Sequence, residues 1–233
     1  MKLPKVLIFT ITYEGKDYAL EEFMEHCSKI NYPNYRHIFI DNSNNPHYVD
    51  RLREKGLEAY HTERGNNSRE ALARSQNVAR RIALNEGYDY ILSIESDIMC
   101  PPDVVERLLK HAKPVVTGFY YIGDREKGQR VPCITILKWN EELGAYGTRL
   151  LFIDEWEDYT NKGLKKVAAG GMGVCLIKRN VFEKFAFTYD TRLKGHSDIY
   201  FFNECFRQKI PVYVDTDLYC EHKNSKWTDV KDR

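Results

Sequence analysis

The stretch Tyr88-Asp89-Tyr90-Ile91-Leu92-Ser93-Ile94-Glu95-Ser96-Asp97 is an apolar run that ends in two acidic residues. The run predicts a buried strand, and the spacing of Glu95 and Asp97 predicts carboxylates that point to the same side. Ligands of open α/β sheets bind at the carboxyl ends of the strands. Two hard oxygen donors at this edge favour Mg²⁺ or Mn²⁺, an ion that is commonly shared with a diphosphate.

Helix capping is the alternative role for these acids. Pro101-Pro102 begins a helix, and acidic residues stabilise a helix N-terminus. Asp97 precedes those prolines by several residues, which is too early for the N-cap of that helix. The position therefore favours metal binding over capping.

Short apolar runs alternate with helical patterns around this stretch, which predicts a βαβα arrangement with a parallel sheet. The predicted strands of the first half are 5–10, 35–41, 57–61, 91–94 and 115–117, and the predicted helices are 20–30, 49–55, 68–85 and 104–111.

The second half has a different pattern. Strands at 131–137 and 150–153 without a long helix between them indicate an antiparallel or mixed portion, and 121–130 is predicted to be a polar loop. The remaining predicted elements are strands at 174–178, 212–214 and 218–220, and helices around Val181 and at 197–208.

Length and composition bound the class of protein. The 233 residues are 42% hydrophobic, which fits one α/β domain with a sizeable core. Lys+Arg 35 against Asp+Glu 34 gives a net charge of +1, so no nucleic-acid partner is expected. No apolar run is long enough for a signal peptide or a transmembrane segment, while peripheral membrane contact stays open.

The cysteines indicate the redox environment. The six cysteines are scattered and form no C-x-x-C pair. This spacing argues against a zinc knuckle and for reduced, mostly buried thiols, so a cytoplasmic location is expected.

Four features now stand together in chain order. They are the acidic pair, Gly170-Gly171-Met172-Gly173, Gly195-His196-Ser197-Asp198 at a helix start, and Glu221-His222 after the last strand. In this order and spacing the chain resembles the GT-A glycosyltransferases, most closely glycosyltransferase family 2 and its relatives. The resemblance runs from Val6 to His222 and is most recognisable in 73–77, 88–92 and 95–97.

The resemblance implies an α/β fold of the GT-A (Rossmann-like) type, with a mixed, mainly parallel central sheet flanked by helices. It implies a single domain over 1–222, with a nucleotide-binding half (1–118) and an acceptor and sugar half (119–222). A polar tail, 223–233, follows. The implied activity is sugar transfer from a nucleotide-diphosphate donor to a hydroxyl of a glycan, lipid or protein acceptor.

The resemblance also implies residues that bind the donor. Thr12 and Tyr13 are expected against the base and ribose, and Asp41 is expected to accept a hydrogen bond from the base. Arg74, in the recognisable stretch 73–77, is placed with these donor-binding residues. Because the base is commonly uracil in such enzymes, a UDP-sugar is the expected donor.

The metal site is implied by the match to the D-x-D motif. Asp97 is the expected direct ligand, and His222 matches a histidine that completes the metal shell in many members. Glu95 replaces the first aspartate of the motif, so that its longer side chain is expected to reach the ribose or the metal. The expected cofactor is Mn²⁺ or Mg²⁺.

Other implied contacts lie on the sugar and diphosphate. Gly170 and Gly171 are expected to let the backbone approach the donor sugar, since a side chain there would clash. Lys223 or Lys226 is expected to offer a cation to the diphosphate, with Trp227 folding over it.

Asp198 matches the acidic residue that acts as base toward the acceptor hydroxyl, which implies an inverting reaction. The family's acidic pair reads Ser197-Asp198 here, so this assignment rests on one carboxylate. If Asp198 only binds sugar hydroxyls, a retaining reaction remains open.

Each candidate also has a purely structural interpretation. Asp41 begins an Asp-Asn-Ser-Asn stretch typical of an Asx turn, and Asp198 is placed to cap a helix. His222 by itself is an ordinary histidine. The glycines fit a bulge or tight turn, and the residues after His222 fit a solvated tail.

Two other functions compete with sugar transfer. A nucleotidyltransferase is disfavoured because residues 10–15, Thr-Ile-Thr-Tyr-Glu-Gly, lack the glycine-rich basic loop expected after the first strand. A non-catalytic sugar- or nucleotide-binding module on the same fold stays open because of Glu95 and Ser197.

Overall fold

A computed structural model describes residues 3–124, 129–141, 144–151, 153–192 and 195–223. Its regular elements are, in chain order, β1 (Val6–Thr12), α1 (Asp17–Ser28), β2 (Tyr35–Asp41), α2 (Tyr48–Glu54), β3 (Ala59–His61), α3 (Ser68–Asn85), β4 (Tyr90–Ile94), β5 (Ile98–Met99), α4 (Val104–Lys110), β6 (Val115–Phe119), β7 (Tyr121–Asp124), β8 (Gln129–Pro132), β9 (Thr135–Asn140), β10 (Ala145–Leu150), β11 (Leu164–Val167), β12 (Val174–Lys178), α5 (Arg179–Phe182), α6 (Ser197–Arg207), β13 (Val212–Tyr219) and β14 (Glu221–His222). Short 3₁₀ helices cover Glu14–Lys16 and Ile153–Asp158.

Eight strands form the central sheet, in the order β11-β13-β6-β12-β4-β1-β2-β3. The pairs β1–β2, β1–β4, β2–β3 and β6–β13 are parallel. The strand β12 lies antiparallel between β4 and β6, and β11 is antiparallel to β13 at the edge. The prediction of a mixed, mainly parallel sheet is confirmed.

Helices bury both faces of the sheet. α1, α2 and α4 pack on one face, and α3, α5 and α6 pack on the other. Residues alternate along β1, so that Val6 and Ile8 face the first layer while Leu7 and Phe9 face the second. Because both faces are covered, the middle strands β1, β4, β6 and β12 are mostly apolar, as the sequence pattern indicated.

The helix α3 has the bounds that the sequence predicted. Asn67 caps it, since its side-chain oxygen accepts hydrogen bonds from the backbone N–H groups of Arg69 and Glu70, each at 3.0 Å. Ala79 and Ala83 are buried on its sheet-facing side.

The predicted loop at 121–130 is wrong at both of its ends, because β7 and β8 pair antiparallel there, while 125–128 lie outside the described residues. Tertiary packing explains the difference. The ring of Tyr121 lies 5.2 Å from Phe119 and 5.5 Å from Trp156, measured between centroids. These aromatic contacts stabilise strand structure in a segment whose polar composition favours a loop.

The predicted strands 131–137 and 150–153 are also wrong in their bounds. The first is divided into β8 and β9, because Pro132 has no N–H to donate and the N–H of Ile134 turns back to the Pro132 carbonyl at 2.8 Å. The second ends early, since β10 stops at Leu150 and a 3₁₀ helix begins at Ile153.

The two predicted strands 212–214 and 218–220 are one strand, β13, with a register irregularity between Asp215 and Tyr219. Among the described residues, no helix is both long and apolar enough to cross a membrane.

Candidate active site

The parallel strands bring several candidate residues to one edge of the sheet. Thr12, Asp41 and His61, the last residues of β1, β2 and β3, lie side by side in register. The neighbouring strand β4 ends at Ile94 and leads directly into Glu95. The carboxyl ends of these strands form the edge at which ligands of α/β sheets bind.

The backbone around the acidic pair is held on both sides. The N–H of Glu95 donates to the Gly173 carbonyl at 2.9 Å, and the N–H of Lys223 donates to the Asp97 carbonyl at 2.8 Å. These bonds tie the turn after β4 to segments that are distant in sequence. The turn is therefore fixed by the folded chain as a whole.

His222 reaches this turn through a short antiparallel pair. β14 pairs with β5 so that His222 lies opposite Ile98, next to Asp97. The Nδ1 atom of His222 is 3.1 Å from the carbonyl oxygen of Tyr121. A carbonyl oxygen can only accept a hydrogen bond, so Nδ1 must carry the proton. This bond directs Nε2 to the acidic side, 3.6 Å from Oδ2 of Asp97.

Glu95, Asp97 and His222 form a group whose ligand atoms all lie within 4.8 Å of one another. Asp97 and His222 are buried, and Glu95 is half-buried. Two carboxylates and an imidazole with a directed Nε2 are a donor set that suits Mn²⁺ and accommodates Mg²⁺. These residues thus fit the metal that the sequence predicted.

Lys16 and Tyr18 also converge on Asp97. The ammonium of Lys16 forms an ion pair with Oδ2, and the Tyr18 hydroxyl donates to the same oxygen at 2.8 Å. Sequence reasoning missed Lys16, although its place shortly after the first strand put it at the same edge.

Burial and neighbouring charges act in opposite directions on the two carboxylates. Burial acts to raise the pKa of Asp97, but the hydrogen bond and charge of a protonated His222 and the ammonium of Lys16 outweigh it and hold that pKa well below its usual range. A metal bound to Nε2 would take the place of that proton. Burial raises the pKa of Glu95; Lys16 opposes this rise, and the nearby Asp97 charge adds to it.

Asp198 lies in the first turn of α6 and belongs to the same electrostatic environment. Its charge is close enough to Glu95 to raise the pKa of that residue further. Burial raises the pKa of Asp198 itself, and the bond that its Oδ1 accepts from the Ile199 N–H, at 2.8 Å, opposes the rise. The predicted base is therefore near enough to Glu95 for their charges to interact.

The predicted donor-binding residues are engaged within the protein. Asp41 is fully buried; its Oδ2 lies 2.9 Å from Nδ1 of His61, and its Oδ1 accepts from the Ser43 N–H at 2.8 Å. The latter bond is the Asx turn that the sequence left open. The guanidinium of Arg64 lies over the ring of Tyr13, and its Cζ atom is 4.9 Å from the centroid of that ring.

The glycines of residues 170–173 have a packing role. A Cβ at Gly171 would overlap the Tyr120 hydroxyl, and one at Gly170 would overlap Thr117. The N–H of Gly173 donates to the Tyr120 hydroxyl at 3.0 Å. Close packing against Tyr120 and Thr117 therefore accounts for these glycines, and their contact with a donor sugar stays a prediction.

The remaining donor-binding candidates either form ion pairs within the protein or lie outside the described residues. Arg74 pairs with Glu70 and Glu63. The ammonium of Lys223 lies 2.9 Å from Glu22 and 2.8 Å from Glu221. Lys226 and Trp227 lie outside the described residues.

An open surface depression of about 540 Å³ lies beside the first turn of α6. Its described lining consists of Thr188, Tyr189, Asp190, Thr191, Arg192 and Tyr200. Arg192 and Asp190 are preorganised by a side-chain pair at 2.7 Å and by a bond from the Arg192 N–H at 2.8 Å.

Comparison with known proteins bears on the fold. No protein-family model and no curated protein sequence matches the chain. A solved structure of A197 from STIV is 18% identical and covers 94% of this chain and 85% of that chain, but its TM-score of 0.49 is too low to support a conclusion.

A second solved structure is the mannosyltransferase PcManGT from Pyrobaculum calidifontis, in complex with GDP-Man and Mn²⁺. It is 17% identical and has a TM-score of 0.60, with 96% of this chain and 58% of that chain covered. The chain thus spans little more than half the length of this transferase. At this identity the similarity concerns the fold alone, and it shows that the chain has a GT-A-like α/β fold.

Proposed function

We propose that the chain is a metal-dependent glycosyltransferase that moves a sugar from a nucleotide-diphosphate donor to an acceptor hydroxyl. The convergence of Glu95, Asp97 and His222 at the carboxyl edge of a GT-A-like sheet carries this proposal. These residues would hold Mn²⁺ or Mg²⁺, which supplies charge neutralisation of a leaving diphosphate when bound.

Asp198 is the proposed base. Its place in the first turn of α6 and the effect of its charge on Glu95 support this assignment, and its raised pKa improves its ability to accept the acceptor's proton. Direct attack by the deprotonated acceptor would invert the anomeric carbon. A retaining reaction, with Asp198 only binding sugar hydroxyls, is the alternative.

The donor half is proposed to be residues 1–118, with Thr12, Tyr13 and Asp41 against the nucleoside. Their places at the ends of β1 and β2 support this assignment. We propose uridine as the base from the resemblance. The GDP-Man of PcManGT makes guanosine the comparison that any test must include.

The acceptor half is proposed to be residues 119–222. The surface depression that includes Tyr200, two residues after Asp198, favours a carbohydrate acceptor over a lipid, because its described lining contains hydroxyl groups and an Asp–Arg pair but no aliphatic side chain. Aromatic rings such as Tyr189 and Tyr200 provide apolar faces on which sugar rings stack.

A thermal-shift panel of UDP- and GDP-sugars, with and without Mn²⁺, tests the proposal. We expect stabilisation by UDP-sugars that requires the metal. A larger shift with GDP-sugars would replace uridine by guanosine, and the absence of any metal-dependent shift would contradict the function itself.

Donor hydrolysis distinguishes an enzyme from a binding module. The binding module is the second candidate because Glu95 and Ser197 differ from the acids expected of a transferase. Slow Mn²⁺-dependent release of the nucleoside diphosphate supports an enzyme. Stabilisation by a nucleotide-sugar without hydrolysis or transfer would support the binding module.

A further inference from the structure

Lys16 provides the closest positive charge that the described structure shows at the Asp97 carboxylate. It ends the short 3₁₀ helix Glu14–Lys16 between β1 and α1. Its ammonium pairs with Oδ2 of Asp97, and the side chains of the two residues are 13% and 0% exposed. The ion pair is therefore largely shielded from water, which makes it stronger than a surface pair.

Several groups of the described residues lie around this one carboxylate oxygen. They include the ammonium of Lys16, the hydroxyl of Tyr18 at 2.8 Å and Nε2 of His222 at 3.6 Å. A buried carboxylate requires a compensating cation, because an uncompensated charge away from water is costly. Lys16 supplies that compensation, and Tyr18 adds a neutral hydrogen bond.

A divalent cation would seek the same carboxylate. Two cations cannot share this oxygen without strong repulsion, since the interaction between unit charges at ionic distances is large where water is excluded. A lysine ammonium is a point charge on a flexible stem, so it can leave Asp97 while the backbone of Glu14–Lys16 stays in place.

We infer that Lys16 is a tethered counter-ion of Asp97 that a divalent cation displaces on binding, and that the released ammonium then pairs with the donor's diphosphate. This inference rests on the proposed function. Lys16 lies in the segment directly after β1, close to Tyr13, and thus at the edge where the donor is proposed to bind. Metal and nucleotide would consequently bind cooperatively. The metal releases the ammonium of Lys16 from Asp97, and the diphosphate of the nucleotide then neutralises that ammonium.

The displacement of Lys16 by the metal is tested by titration with Mn²⁺ alone. The electron paramagnetic resonance signal of the free ion measures how much Mn²⁺ remains unbound. Lys16→Gln keeps a hydrogen-bonding side chain but removes the competing charge, so we expect it to bind Mn²⁺ about tenfold more tightly than the wild type. Lys16→Arg keeps the charge and should resemble the wild type. Tyr18→Phe removes only a neutral bond and should not tighten binding.

The pairing of the released ammonium with the diphosphate is tested by calorimetric titration of UDP and GDP in saturating Mn²⁺. Lys16→Gln should bind both nucleotides more weakly than the wild type, although it binds the metal more tightly. These opposite signs distinguish a counter-ion from a merely structural residue, whose loss would weaken both. Equal or weaker Mn²⁺ binding by Lys16→Gln, or undiminished nucleotide binding, would overturn the inference.

Asp97→Asn separates this inference from the proposed function. If it binds Mn²⁺ as the wild type does, the metal site is wrong and both proposals fail. If it loses Mn²⁺ while Lys16→Gln is unchanged, only the role of Lys16 fails. If the Lys16→Gln variant folds only when Mn²⁺ is present, the inference is supported, because the metal then replaces the missing positive charge. If the variant fails to fold even with Mn²⁺, the inference is contradicted.

Discussion

The hydroxyl of Ser197 donates a hydrogen bond of 2.6 Å to the side-chain oxygen of Gln76, in the interior of the protein. The two residues are 1% and 3% exposed, and the bond joins the first residue of α6 to the middle of α3. It fixes the start of α6 one residue before Asp198. Ser197, which stands where the family resemblance expects an acid, thus has a structural partner of its own.

Replacing Ser197 by alanine is expected to reduce the free energy of unfolding by about 1–3 kcal/mol, because the buried amide of Gln76 loses its donor. Chemical denaturation measures this loss. The double variant Ser197→Ala/Gln76→Leu removes both polar partners and should regain part of the stability. Equal stability of the wild type and Ser197→Ala would show that the bond contributes nothing.

Asp198→Asn is expected to slow sugar transfer by about 10² to 10⁴ while donor binding is retained, since it keeps the shape and removes the basicity. Because burial raises the pKa of Asp198, the wild-type rate should begin to fall on acidification at a higher pH than an ordinary aspartate would produce. A pH–rate profile of single-turnover transfer checks both points. Near-wild-type transfer by Asp198→Asn would make Asp198 a helix cap and remove the main reason for preferring inversion.

Asp97→Ala and His222→Ala are each expected to abolish the Mn²⁺-dependent stabilisation by a nucleoside diphosphate, measured by thermal shift. Asp215 offers a matched control, because this buried carboxylate also lies beside a histidine, His111, at 2.9 Å, but outside the metal group. Asp215→Asn should leave the dependence on Mn²⁺ intact. A wild-type Mn²⁺ titration in His222→Ala would remove that residue from the metal shell.

His37 is expected to make the fold sensitive to acid. Its half-buried imidazole stacks on Phe39, with centroids 4.6 Å apart, and burial lowers its pKa to about 3. The pKa in the unfolded chain is about 6.5. Between these values the unfolded chain binds a proton that the folded chain does not, so stability falls as the pH decreases, by up to about 1.4 kcal/mol per pH unit.

Denaturant titrations of the wild type and His37→Gln between pH 7 and pH 4 check this prediction. Glutamine can still bond to Thr10, whose hydroxyl lies 2.8 Å from Nε2 of His37, but it does not titrate. The wild type should lose more stability on acidification than the variant. Parallel pH curves would show that His37 is not a source of the acid sensitivity.

The first half of the fold was predictable because its signals are local. The apolar run before Glu95 and the helical pattern over 68–85 define their elements without distant partners. The strand β7 was not predictable in this way, since its stability depends on the packing of Tyr121 against Trp156. The two-residue strands β5 and β14 are too short to produce a pattern of their own.

The same distinction applies to the candidate site. Asp97 and His222 each follow a predicted strand, so their places at strand ends were visible in the sequence. The pairing of Lys16 with Asp97 spans 81 residues and depends on the path of the segment between β1 and α1. No local pattern of residue types encodes such a contact.

The position of β12 between β4 and β6 has a consequence for synthesis of the protein. On the ribosome, β4 and β6 emerge long before the strand that separates them, by a delay on the order of ten seconds at about 5–20 residues per second. During this time each exposes an unpaired apolar edge, which is a template for aggregation or for wrong pairing between the two strands. The nascent chain is therefore exposed to aggregation until β12 pairs with both strands. Refolding at high protein concentration without chaperones is the condition in which this aggregation should be greatest.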